Sequence, residues 1–240
     1  MPEKKKKFFD KENLINPYSD SRILFGDPKM QVKKVMAGID ADGEEVLLMD
    51  RLNEPRLDRG KKGEGIDLLI SHHPSGHALA SLDEVMDVQV DMFTEAGVAE
   101  NVAYALLEER RGKVKRSISP RNHNKTVDTA RLLNVPLLAL HTIWDNLGNK
   151  FMQEYLAGRK FDTAGEVLDF VCEIPEFIES MKGKAGPFLA AGSPKSRAGK
   201  VKVMFTGGTN PSKELYMELS KAGVGTIVEM HVPEEAVIEL

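Results

Sequence analysis

The sequence predicts an α/β protein in which short apolar strands alternate with amphipathic helices. Two short runs rich in branched apolar residues, at 66–70 and 135–140, have the length of buried strands. Gly, Asn or Pro lies at or near their ends. In several of the segments between the predicted strands, apolar residues recur at helical spacing. A third observation is that histidines stand at the exits of both runs, where open α/β sheets usually bind their ligands.

The elements are predicted in chain order from the same patterns. Strands are expected near residues 32–39, 66–71, 135–141, 187–191, 201–206 and 224–229, and helices near 126–133, 163–182 and 211–222. The region 76–119 has a helical pattern of its own, interrupted at Gly97, which predicts a helical hairpin.

Composition excludes several classes of protein. The 240 residues are 41% apolar and 29% charged, which is the balance of a soluble globular protein. A net charge of -4 gives no overall basic footprint for nucleic acid, and the lysines near the N-terminus are interpreted as a solvated end. No apolar run approaches the length of a membrane span. The single cysteine, Cys172, excludes an intrachain disulfide framework and agrees with a cytoplasmic location.

The first candidate site is the pair His72 and His73 at the end of the predicted strand 66–71. Neighbouring side chains of a regular strand point to opposite faces, so both rings reach one site only where the strand breaks. Pro74 supplies such a break. Neutral imidazole is the commonest protein ligand for divalent transition metals, and this pair could hold one ion each of a close pair. The alternative is two hydrogen-bonded histidines in a loop.

The second candidate site repeats this design. The apolar run 135–140 ends in His141, and Asp145 follows four residues later. Imidazole and carboxylate together suit zinc, iron or manganese better than calcium, which prefers oxygen ligands only. The alternative is that His141 is a hydrogen-bonded core residue and that Asp145 caps a helix.

The two motifs, S-H-H-P at 71–74 and H-T-x-x-D at 141–145, resemble those of the Nif-three-like family, whose members are also called GTP cyclohydrolase 1 type 2 homologues. Segments 16–23, 35–40 and 203–208 are similar to further parts of that family, and the resemblance covers most of the chain. It implies a two-lobed α/β fold with mixed sheets flanked by helices, and two divalent metal ions in a cleft between the lobes. It also implies assembly into a ring-shaped homohexamer.

The resemblance also assigns the metal ligands. The first two motifs place them at His72, His73, His141 and Asp145, and the family's last motif, His-x-x-x-Glu, falls on His231 and Glu235. That last motif departs from the family pattern at Met230 and Pro233, and the chain stops five residues after Glu235. We therefore expect either a divergent branch or a C-terminal truncation. Residues 1–240 would form a single family domain in which 76–119 is a helical insertion.

A glycine-rich turn is a candidate anion site. Thr206, Gly207 and Gly208 lead from a predicted strand towards a helix that starts near Pro211. Such a turn directs backbone N–H groups and a helix N-terminus outwards, which favours an anion. The turn lacks the lysine of a P-loop, so a nucleoside triphosphatase is not predicted.

The first hypothesis for function is a metal-dependent hydrolase that uses a metal-activated water on a small-molecule, nucleotide-like substrate. The two ions would be zinc, iron or manganese. The alternative is a non-catalytic metal-binding scaffold or a regulatory protein that binds a partner. His77 is either a proton donor near the metal or a surface histidine, and His123 is either a polar cap or a substrate contact.

Overall fold

The computed structural model describes residues 2–55 and 63–238, and the chain divides into two units. The first unit comprises Met1–Val85 and Gly112–Trp144, and the second comprises Met86–Arg111 and Asp145–Leu240. The helices are α1 (Glu3–Lys6), α2 (Gly43–Asn53), α3 (Gly76–Ala80), α4 (Val88–Ala96), α5 (Glu100–Ile118), α6 (Lys125–Leu132), α7 (Thr142–Leu156), α8 (Ala164–Val171), α9 (Pro175–Lys182), α10 (Lys213–Lys221) and α11 (Glu234–Val237).

A four-stranded mixed sheet forms the centre of the first unit. Its strands are β1 (Arg22–Phe25), β2 (Val35–Gly38), β3 (Leu68–Ser71) and β4 (Leu137–Ala139), in the order β1-β4-β3-β2. Strand β3 is parallel to both β2 and β4, whereas β1 is antiparallel to β4. The carboxyl ends of β2, β3 and β4 therefore lie at the same edge of the sheet, together with the amino end of β1.

Apolar residues of two helices cover this sheet. Val46 and Met49 of α2, together with Val127 and Ala130 of α6, join the buried cluster that contains the central strand residues Leu69 and Leu137. Leu69 and Leu137 are partners in the register of β3 and β4, and both are fully buried. The short apolar runs of the sequence thus form strands because helices on the sheet remove their side chains from water.

The second unit contains a two-stranded parallel sheet of β5 (Lys200–Met204) and β6 (Val224–Glu229). Successive residues of a strand face opposite sides, and β5 illustrates this with Met204 and Val203. Met204 joins a buried cluster with Phe93 of α4 and Leu215 of α10, whereas Val203 joins a different cluster with Met152 of α7. An apolar cluster on each face explains why both strands are rich in valine, isoleucine and methionine.

Two predicted elements differ in the structure. Residues 187–191 do not form a strand, and Phe188 is exposed. A strand requires a neighbouring strand to bond its backbone, and the local apolar pattern carries no information about such a partner. The predicted helix 163–182 is divided into α8 and α9 because Pro175 disfavours helical geometry at the preceding residue. Ile174 is accordingly extended.

The region 76–119 is helical, as its pattern predicts. It contains α3, a 3-10 helix at Leu82–Asp87, α4 and α5, and Gly97 ends α4 in the left-handed conformation. That this region is an insertion relative to the family stays a prediction. Among the described residues, no helix combines the length and the apolar character needed to cross a membrane.

Candidate metal centre

Three histidines meet at the carboxyl edge of the first unit's sheet. His72 and His73 follow the last residue of β3, and His141 lies two residues after the end of β4. One ring nitrogen of each residue lies within 4.8 Å of the corresponding atoms of the other two. The ring centroids of His72 and His141 are 4.9 Å apart, and those of His72 and His73 are 5.2 Å apart. The structure thus brings together three of the six predicted ligands.

The adjacent rings of His72 and His73 share one site because they lie beyond the regular part of β3. Their backbone N–H groups donate to the carbonyl oxygens of Gly38 and Ile39, at 3.0 and 2.8 Å. The Ser71 hydroxyl donates to the His73 carbonyl oxygen at 2.7 Å, which closes a tight turn immediately before Pro74. The strict alternation of strand side chains ends at this turn.

Each histidine ring is held through its Nδ1 atom. The Nδ1 of His72 donates to the Leu140 carbonyl oxygen at 3.1 Å. The Nδ1 of His73 donates to Asp40 Oδ1 at 2.7 Å, and that of His141 donates to Asp20 Oδ2 at 2.8 Å. Carbonyl and carboxylate oxygens only accept, so Nδ1 carries the proton in all three rings. A neutral ring of this tautomer has its lone pair at Nε2, the arrangement typical of a metal-ligating histidine with an outer hydrogen-bond partner.

Exposure of the rings differs across the cluster. The side chain of His141 is 10% exposed, whereas that of His73 is 50% exposed. Burial is the main cause that lowers the pKa of His72, and the electrostatic interaction with the neighbouring His141 ring acts in the same direction. A lower pKa favours the neutral, metal-binding form of His72. The indole ring of Trp144 stacks on His72 with 6.2 Å between centroids and 11° between planes.

The sequence motifs missed the two aspartates that hold His73 and His141. Asp40 follows the end of β2 by two residues and lies beside the end of the parallel strand β3. In the antiparallel pair of β1 and β4, Arg22 is opposite Ala139, and continuing this register by two residues places Asp20 opposite His141. Knowledge of the strand order and register would have identified both residues. Asp20 and Asp40 lie in segments 16–23 and 35–40, which resemble the family but contain neither histidine motif.

The other predicted ligands belong to the second unit. Asp145 lies in the first turn of α7 and is buried. His231 is exposed, and its carbonyl oxygen accepts a hydrogen bond from Asn210 at 2.7 Å. Glu235 is exposed on the short helix α11. Their participation in a metal site stays a prediction.

The candidate anion loop is held by side chains of the second unit. Gln89 Nε2 donates to the carbonyl oxygens of Gly207 and Thr209, at 2.7 and 2.6 Å. Thr206 Oγ1 donates to Asn146 Oδ1 at 2.6 Å. Gly207 and Gly208 both have positive φ, at 118° and 77°. In a trans peptide the N–H points opposite to the C=O, so the N–H groups of Gly208 and Asn210 point away from Gln89. Anion binding stays a prediction.

His77 and His123 lie outside the histidine cluster and make local contacts. His123 Nε2 donates to the Ile118 carbonyl oxygen at 3.0 Å, which caps the end of α5. His77 is half exposed, and its Nε2 lies 3.6 Å from Asp10 Oδ2. The His123 ring therefore caps the helix that precedes it, and the role of His77 stays a prediction.

Comparison with known proteins agrees with this fold. Neither a protein-family model nor a curated protein matches the chain. Among solved structures, a NIF3 superfamily protein from Sphaerobacter thermophilus matches with a TM-score of 0.79 and 26% sequence identity, over 92% of this chain and 77% of that chain. The chain resembles the Nif-three-like family in fold. The predicted family resemblance and the predicted α/β class with a mixed sheet are therefore confirmed. The three histidines form a group that could hold a metal ion.

Proposed function

We propose that the protein is a metal-dependent hydrolase whose divalent ion is bound by His72, His73 and His141. The observation that carries this proposal is the convergence of one ring nitrogen from each of these residues within 4.8 Å. Three neutral imidazoles suit zinc, iron or manganese better than calcium. When bound, such an ion would acidify a water molecule and polarise the group under attack.

The exposure of the cluster favours catalysis over a structural or storage role. Structural metal sites are closed by protein ligands, whereas catalytic sites keep a position accessible to water and substrate. Half of the His73 side chain is exposed, while His141 is buried. The protein therefore presents one side of the cluster to solvent and holds the other side rigidly. This arrangement allows a substrate to approach the site.

Further parts of the proposal rest on the sequence motifs and the family resemblance. They are a second divalent ion, additional ligands at Asp145, His231 and Glu235, a nucleotide-like small-molecule substrate and anion binding at 206–208. A homohexameric assembly and a cytoplasmic location belong to the same proposal.

Elemental analysis combined with an activity screen tests the proposal. Wild-type protein supplemented with zinc, manganese or iron and then dialysed should retain close to two ions per chain and hydrolyse a member of a broad substrate panel. The double variant His72→Ala/His73→Ala should lose most of the metal and the activity. His123→Ala is the matched control because the His123 ring bonds to the Ile118 carbonyl oxygen at the end of α5 and is not part of the histidine cluster.

Three results would contradict the proposal. Wild-type protein that retains no ion would exclude the metal site. Equal loss of metal in the double variant and in His123→Ala would show that the histidine cluster is not the site. Full metal content without hydrolysis of any substrate in the panel would favour the scaffold alternative.

A further inference from the structure

A buried aspartate next to the histidine cluster has no role in the predicted ligand set. Asp20 is fully buried and accepts three hydrogen bonds. The donors are His141 Nδ1 at 2.8 Å, the Thr142 hydroxyl at 2.6 Å and the Ser21 hydroxyl at 3.2 Å. Three donors stabilise a carboxylate at this position, and a buried charge is unfavourable unless it is compensated. A cation bound by the neighbouring ring would provide further compensation.

Asp20 and its neighbour hold His141 at two points. The Asp20 carboxylate accepts from the His141 ring, and the Ser21 hydroxyl accepts from the His141 backbone N–H at 2.9 Å. Thr142, the next residue, donates to the same Asp20 oxygen as the ring does. The side chain and the backbone of His141 are therefore both fixed by the segment that precedes β1. The ring has little freedom to rotate.

Asp40 makes the same type of bond in a different environment. It accepts from His73 Nδ1 at 2.7 Å, but its side chain is 77% exposed and that of His73 is 50% exposed. Water screens an exposed pair, which therefore contributes little. These two carboxylate–histidine pairs therefore have similar lengths, but the pair of Asp20 and His141 is buried and the pair of Asp40 and His73 is exposed.

We propose that Asp20 is a positioning residue that determines the metal affinity of the cluster, whereas Asp40 contributes little. Asp20 fixes the Nδ1–H tautomer and the orientation of His141, and it places a negative charge near the bound cation. The effect depends on burial because the interaction is stronger where water is excluded. This inference rests on the proposed metal binding and names how the site achieves it.

The test is zinc affinity, measured at fixed pH by competition with a chromophoric chelator. Asp20→Asn preserves the volume of the side chain but removes its charge and introduces an N–H donor. Loss of such an outer hydrogen-bond partner typically weakens metal binding by about 10–100-fold, and we expect that loss here. Asp40→Asn, the matched exposed control, should change the dissociation constant less than about threefold.

A second readout reports on the ring itself. Nitrogen NMR of His141 in the metal-free protein should show the Nδ1–H tautomer in wild type and a shift towards Nε2–H in Asp20→Asn. A purely structural role for Asp20 would lower the melting temperature without changing this ratio. Thr142→Val removes one donor to Asp20 without altering any proposed ligand. It should weaken zinc binding severalfold, and it replaces Asp20→Asn if that variant does not fold.

The outcomes separate this inference from the function on which it rests. Wild-type zinc affinity in Asp20→Asn, or equal losses in Asp20→Asn and Asp40→Asn, would overturn the role of Asp20 while leaving the metal site intact. Wild-type protein that binds no zinc would overturn the proposed function, and the inference with it.

Discussion

At the scale of single residues, hydrogen-bond partners distinguish the histidines of this chain. His141 donates its ring proton to a buried carboxylate and lies beside two other imidazoles. His123 donates its ring proton to a carbonyl oxygen five residues earlier and caps a helix. Both residues are polar and follow an apolar or helical segment, so sequence alone does not separate them. The contact that each ring makes determines the chemistry open to it.

A partly buried carboxyl, Glu229 at the end of β6, should make stability depend on pH. Burial raises its pKa from the ordinary value of 4.5 to about 7, and the Tyr216 hydroxyl donates to its Oε1 at 2.7 Å. Because the folded protein holds this proton more tightly than the unfolded chain, the contribution to stability is full below pH 4.5. It is lost as the pH rises through about 7.

Glu229→Gln should remove this dependence. At pH 8 the variant should be more stable than wild type by roughly 1–2 kcal/mol, because a neutral amide replaces a partly buried carboxylate. At pH 4.5 the two proteins should be nearly equal. Urea unfolding at several pH values measures the difference. Glu234→Gln, which changes an exposed residue, is the control. If the difference in the free energy of unfolding between Glu229→Gln and wild type does not change with pH, the raised pKa of Glu229 is contradicted.

At the scale of elements, the ends of strands position the functional groups. In the first unit, the ends of β2, β3 and β4 supply Asp40, the two adjacent histidines and His141 to one edge of the sheet. In the second unit, β5 leads into the loop that Gln89 fixes from α4. Regular structure thus ends where the backbone must adopt a special conformation. Glycine is the residue that permits this at Gly207.

Gly207→Ala should destabilise the second unit. The added Cβ would lie 2.6 Å from Gln89 Cγ, and Gln89 is buried and bonded to the loop, so it has no room to withdraw. The φ of 118° is also unfavourable for alanine. Together, overpacking and strain should cost roughly 2–4 kcal/mol in the free energy of unfolding.

Gly158→Ala is the matched control for that variant. Gly158 has a φ of 72°, and a Cβ there would meet nothing within 4 Å. Gly158→Ala should therefore lower the free energy of unfolding by only about 1 kcal/mol, because backbone strain is its one cost. Chemical unfolding of both variants measures the contribution of the contact with Gln89. Equal effects would mean that the contact is relieved by a shift of the loop.

At the scale of the whole molecule, the proposed ion links segments that are distant in sequence. His72 and His141 lie in segments nearly seventy residues apart, and their rings meet only in the folded chain. An ion that binds them therefore binds the native state and not the unfolded chain. Its binding free energy adds to the stability of the fold.

Chelation should accordingly lower the melting temperature. A free metal concentration a thousandfold above Kd stabilises by about 4 kcal/mol, which corresponds to roughly 8–16 °C for a chain of this size. Calorimetry with and without a chelator measures the shift. The variant His231→Ala extends the test to the C-terminal motif, because a true ligand at that position would contribute to the shift. Unchanged metal content and an unchanged shift in that variant would show that the C-terminal match is false.

The sequence by itself determined the features that depend on neighbours along the chain. Apolar runs bounded by Gly, Asn and Pro predicted β3 and β4, and the residues that follow them predicted three histidines at strand ends. The division of the predicted helix 163–182 into α8 and α9 at Pro175 also depends on local sequence. The apolar periodicity of 163–182 predicted one continuous helix instead. The family motifs within these segments then led to a Nif-three-like fold, which the structural match supports.

The tertiary structure decided what depends on partners distant in sequence. Residues 187–191 have an apolar pattern but no strand, because pairing requires a neighbour that the local sequence does not specify. Asp20 lies opposite His141 only because β1 joins the sheet antiparallel to β4 in one particular register. Burial of Asp20, and the contrast with exposed Asp40, likewise arise from packing. A carboxylate that is ordinary in the sequence gains its influence on the neighbouring ring only where the fold excludes water.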